Sequence, residues 1–97
     1  MPNARFAQLI ERAEDALEAG NADDALKIAQ EMLRDEPDDV DALDLKAVAH
    51  RTAGDLQEAV DTYERLRRLE PKNPAWVLAE ADLLVREAED DRELIEQ

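Results

Sequence analysis

Ninety-seven residues carry 26 acidic and 12 basic side chains, a formal net charge of −14, and 44% of the chain is apolar. That balance argues against nucleic acid, which needs a basic footprint, and against anionic membrane surfaces. Cysteine is absent, which removes disulfides, zinc–thiolate sites and thiol catalysis.

The length allows one domain, or one fragment of a longer array. No apolar run approaches the roughly 18 residues of a membrane span. The N-terminus reads directly into a polar helix rather than a signal peptide, so cytoplasm is the expected compartment. The acidic surplus suits solubility, basic partners or a high-salt environment that screens repulsion.

In chain order, Asn3 is placed to cap a first helix running to about Ala19, where Gly20 supplies the stop. Asn21, with Asp24 three residues on, opens a second helix that ends before Pro37. Asp38 or Asp39 caps a third helix, terminated by Gly54. Asp55 followed by Glu58 reads as a capping box for a fourth, closed by Pro71. Asn73-Pro74 pairs a cap with a first-turn proline for a fifth. Asp90 to Gln97 reads either as a short sixth helix or as a continuation of the fifth. Alternating β-branched runs and hairpin turns are missing, so the fold class is all-α.

The chain repeats itself every 34 residues: positions 6–39 and 40–73 align without a gap. The identities are Leu9/Leu43, Ala13/Ala47, Ala19/Ala53, Gly20/Gly54, Ala25/Ala59, Arg34/Arg68, Glu36/Glu70 and Pro37/Pro71. A period of this length marks a helical hairpin that stacks on its neighbours to bury its apolar face. Short turns force the paired helices antiparallel. Ala13 and Ala47 would face Ala25 and Ala59, letting the backbones come close, with Leu9, Leu43, Met32 and Leu66 filling the remaining space. The expected organisation is a single domain over 1–97, with repeats at 6–39 and 40–73. Residues 74–97 form a partial third repeat or capping helix.

This pattern resembles the tetratricopeptide repeats, whose 34-residue unit carries Trp, Leu-Gly and Tyr on its first helix, then Ala, Phe and Pro on its second. Here the Gly place holds Ala13 and Ala47, the second-helix Ala is Ala25 and Ala59, the Phe place holds Ala29 and Tyr63, and the Pro is Pro37 and Pro71. The Trp place is Leu9 and Leu43, the Tyr place Ala16 and His50. Arg12 and Lys46 replace the Leu before the small residue and read as edge positions whose stems cover apolar surface. Trp76 falls one residue before the place held by Val77. The resemblance implies a right-handed superhelix of two full repeats and a C-terminal capping helix.

It further implies a non-enzymatic protein–protein interaction module that binds through the concave face of the first helices. Mapping that face gives Ile10, Glu14 and Leu17 from the first unit, and Asp44, Leu45, Val48 and Arg51 from the second. Leu78, Asp82 and Val85 come from the third. An apolar stripe rimmed by carboxylates suits an amphipathic helix or peptide with basic flanks. Alternatively, the stripe is covered by a missing neighbour, a second copy or the C-terminal segment. Self-assembly as a homodimer is the competing function, with Trp76, Leu83 and Leu84 as its association surface unless Leu94 and Ile95 fold back over the fifth helix. A regulatory or scaffold domain of a larger complex is a third reading. The family's carboxylate clamp for chaperone tails would fall on Ile10, Glu14, Leu45, Ala75 and Ala79, none basic or amide, so that activity is rejected.

No cofactor, catalytic residue or metal site is expected. His50 is the only histidine and has no adjacent serine nucleophile. The carboxylates Asp35, Glu36, Asp38, Asp39, Asp41 and Asp44 lack the glycine and spacing of a calcium loop and suit helix capping. Arg65, Arg67, Arg68 and Lys72 suit a helix C-terminus.

Overall fold

The computed structural model describes the backbone of residues 4–96 and the side chains of residues 4–85. Five helices follow one another: α1 Ala4–Glu18, α2 Ala22–Asp35, α3 Val40–Ala53, α4 Leu56–Leu69 and α5 Pro74–Glu96. Each packs on the next, and α1 also lies against α3. The C-terminal residues continue α5 as one helix; Asn3 lies outside the described residues.

The turns inside the hairpins are set by glycine. Gly20 and Gly54 have φ of 78° and 88°, a region that costs an L-residue side chain strain. At each, two bonds close the preceding helix: Gly20 N–H donates to the Leu17 carbonyl and Asn21 N–H to the Ala16 carbonyl, repeated by Gly54 to Arg51 and Asp55 to His50. Three caps form through side chains. Asn21 Oδ1 accepts from Asp24 N–H at 3.3 Å, Asp39 Oδ1 from Ala42 N–H at 3.1 Å, and Asn73 Oδ1 from Ala75 N–H at 2.9 Å. The capping box expected at Asp55 does not form. Its carboxylate instead faces the His50 imidazole, Oδ2 to Nδ1 3.7 Å.

Two apolar clusters make the core, and α3 divides its faces between them. Ala42, Leu45 and Ala49 join Phe6, Leu9 and Ala13 of α1 and Ala25, Ala29 and Met32 of α2. Leu43 and Ala47 join Ala59, Val60, Tyr63 and Leu66 of α4 and Leu83 of α5. Ala13, Ala25, Ala47 and Ala59 are fully buried, as backbones packed closely across a hairpin require. Met32, Leu43, Leu66 and Leu83 are the largest fully buried side chains, each stabilising the fold by about 1.5–3 kcal/mol relative to exposure.

Arginines clasp the helices from outside. Arg5 of α1 bridges Glu31 and Asp35 of α2; Arg65 of α4 reaches the Pro37 carbonyl and Asp38. Arg67 donates to Glu80 Oε2 at 2.7 Å, and Glu80 is itself buried. Asp35 and Asp38 therefore serve in ion pairs and Asp39 as a cap. Among the described residues no group of His, Cys, Asp and Glu could hold a metal ion. Nor is any helix there long and apolar enough to cross a membrane.

Candidate functional site

The spacing between first helices differs at the two repeat junctions, and two pairs of residues explain why. Between the first and second hairpins, Ala29 of α2 and Ala42 of α3 are fully buried, and α3 closes onto α1. One period later the same register positions hold Tyr63 of α4 and Trp76 of α5. Their rings stack with centroids 6.3 Å apart and planes at 26°. Two aromatic rings need far more room than two methyl groups, so α5 stands off α3. Among the described residues no Cα atoms of those two helices come within 8 Å, although Leu43 and Ala47 of α3 share an apolar cluster with Leu83 of α5. The Tyr63 ring, 2% exposed, is packed into the second cluster where residues of α3, α4 and α5 meet.

The charged side chains about the Tyr63 phenol and Asp44 interact electrostatically across three helices. The Tyr63 phenol is pushed above its ordinary pKa, first by burial, with Asp44 and Asp82 raising it further and Arg51 opposing. Asp44 is also pushed up, first by burial, then by Asp41 and Glu14, again against Arg51. Thus Asp44 and Arg51 of α3 and Asp82 of α5 gather about the phenol, and Glu14 of α1 lies within electrostatic reach of Asp44. Among the described residues, the carboxylates Glu14, Asp41, Asp44 and Asp82 are met here by the Arg51 guanidinium. A half-buried Asp44 resisting ionisation marks a place where a positive charge would be welcomed.

The expected apolar stripe is only partly available. Ile10 and Leu17 are half-buried and lean on the first core cluster, and Val48 is half-buried. Leu78 is 68% and Val85 57% exposed. Leu45 corrects the expectation: it is 7% exposed and belongs to the first cluster, because the residues of α3 that pack backward onto α1 and α2 are Ala42, Leu45 and Ala49. Substituting it would disturb the fold rather than the groove.

The proposed association surface is corrected in the same way. Leu83 is fully buried, occupying on α5 the register of Ala49 on α3. Trp76 is half-buried against the second cluster, and its Nε1 donates to Glu70 Oε1 at 2.8 Å. Leu84 remains 49% exposed. Leu94 and Ile95, invoked as a cover for α5, lie outside the residues whose side chains are described. Tyr63, which holds the family's Phe place, is 2% exposed and belongs to the second cluster.

Two clefts lie apart from these residues, a period apart from each other. One, of about 410 Å³, is lined by Gln30, Leu33, Arg34, Pro37, Lys46 and Arg65. The other, of about 520 Å³, is lined by Glu64, Arg67, Arg68, Pro71 and Val77. No expected groove residue lines either, and both are grooves between stacked hairpins.

Residues 10–74 match a family model described as Tetratricopeptide repeat. The chain belongs to the tetratricopeptide-repeat family. No curated protein and no solved structure matches it significantly. Tetratricopeptide repeats generally mediate protein–protein interaction, and this chain shares their consecutive antiparallel packing.

Proposed function

We propose that the chain is a non-enzymatic interaction module that takes a helix or peptide, apolar with basic flanks, into a concave groove lined by its first helices, beside Asp44 and Val48. The observation carrying this reading is the raised Asp44 carboxyl beside Glu14, Asp41 and the Tyr63 phenol. A cation docked there offsets the burial, and behind it the neighbouring carboxylates, that oppose ionisation, so binding and Asp44 deprotonation favour each other. Ile10, Leu17, Val48, Leu78 and Val85 supply apolar contact along the ligand. Asp82 and Glu14 set its orientation by charge. The same acidic side chains repel an acidic tail. The non-catalytic part of the reading rests on the general role of the family.

The test is fluorescence anisotropy with an amphipathic helical peptide, one face Leu and Ile, flanked by Lys and Arg. Affinity should rise with pH through the range in which free Asp44 ionises and level off above it. Val48→Glu and Asp44→Lys should each weaken binding by about tenfold or more with the helical melt retained. Equal affinity for an acid-flanked peptide, or indifference to both substitutions, rejects the groove.

A further inference from the structure

The face of α5 that points away from α4 is apolar and uncovered, and its residue spacing has a symmetry of its own. Its register equivalents on α3 are buried: Leu43, Ala47 and His50 are 1%, 0% and 8% exposed beneath α4. On α5 the same positions are Val77, Ala81 and Leu84, and all are exposed. Leu78 and Val85 extend the patch toward the groove. Because α5 continues as one helix to Glu96, its last turns run on along the axis rather than back across this face.

Val77 and Val85 stand four residues either side of Ala81, and Leu78 and Leu84 three residues either side. The patch therefore reads the same in both directions along the helix. From this we infer that α5 pairs with α5 of a second copy of this chain, antiparallel about a two-fold axis at Ala81. That pairing sets Val77 against Val85, Leu78 against Leu84 and Ala81 against itself. Alanine on the axis lets the backbones approach to about 8 Å, and the antiparallel sense aligns the helix dipoles favourably.

Charge supports the same occupant. The cleft beside Val77 is edged by Arg68, and Lys72 sits in the turn before α5. Lys72 lies nine residues before Ala81 and Asp90 nine after it, within the acidic run Glu89, Asp90, Asp91. Antiparallel pairing brings the basic end of each copy to the acidic end of the other. A head-to-tail array is disfavoured. On α1 the positions equivalent to Ala42, Leu45 and Ala49 are Gln8, Glu11 and Asp15, all exposed, which offer the α5 face no apolar surface. One helix pair makes an interface at the small end of the specific range, so the dimer is expected with a dissociation constant on the order of micromolar.

Sedimentation equilibrium tests the pairing with three proteins: the wild type, Ala81→Glu and Ala81→Lys. The wild type should dimerise, and each variant should associate about tenfold or more weakly, because like charges meet on the axis. An equimolar mixture of the two variants should recover association as a heterodimer, which only contact of residue 81 with itself predicts. A wild type that is monomeric at about 0.5 mM, where a micromolar dimer would be saturated, overturns the proposal. So does a wild-type dimer indifferent to both substitutions, or a mixture that stays monomeric. Circular dichroism melts confirm that these solvent-facing helix substitutions leave the fold intact. Leu78 and Val85 serve both the peptide site and the pair, so peptide and second copy compete for them; Ala81→Glu keeps both residues, and a monomeric variant that still binds peptide separates loss of the pair from loss of the peptide site.

Discussion

Asp44 shows how one carboxylate couples the fold to its ligand surface. Burial is the first cause of its raised pKa, with Asp41 and Glu14 behind it and Arg51 opposing. The folded state therefore holds this proton more tightly than the unfolded chain does. The stabilisation from that proton is full below the unfolded value near 3.8 and is lost as pH rises through the folded pKa. At neutral pH the charged group thus works against folding. Asp44→Asn should raise the melting temperature at pH 7, and the gain should vanish on titration below the ordinary carboxylate range, as thermal melts across pH would show. The same substitution should weaken a basic peptide. A residue that costs stability and improves binding is a common signature of a site.

At the scale of the element, helix ends illustrate how far local rules reach. Asp39 and Asp55 look alike in sequence, each standing immediately before the first residue of a helix. Asp39 bonds the Ala42 N–H, whereas Asp55 makes no cap bond and turns toward His50. Asp39→Ala should therefore cost about 1 kcal/mol in urea unfolding, and Asp55→Ala distinctly less. The difference was not legible in the sequence, because it depends on an imidazole presented by the preceding helix. By contrast, the glycine turns and the proline boundaries were legible: a left-handed φ and a missing N–H are properties of single residues. The fifth helix lay between. Its start at Pro74 was readable, whereas its choice of inner face was not. Trp76, Glu80 and Leu83 turn inward because α4 offers Tyr63 to stack on and Arg67 to pair with.

For the whole molecule, charge and stacking act at different ranges. A net charge of −14 on 97 residues repels itself throughout the compact state. Its arginine clasps are mostly exposed pairs worth little individually. Salt that screens both should therefore stabilise on balance. The melting temperature should rise between low and molar sodium chloride, and a fall would show the clasps to outweigh the repulsion. Stacking sets the remaining features. Alanine at one junction and two aromatic rings at the next bring α3 close to α1 but leave no Cα of α5 within 8 Å of α3 among the described residues, in a chain whose repeats align without a gap.

The sequence by itself determined the all-α hairpin architecture, the 34-residue register, the small residues inside each hairpin and the family. These follow from periodicity and turn chemistry, which act over a few residues and repeat. Only the tertiary structure decided which apolar residues are core and which are surface. Leu45 and Leu83 are consumed in packing between hairpins, while Val77, Leu78, Leu84 and Val85 stay exposed. Periodicity marks a helix face as apolar, but what covers that face depends on the neighbour that arrives, and on how much room its side chains demand.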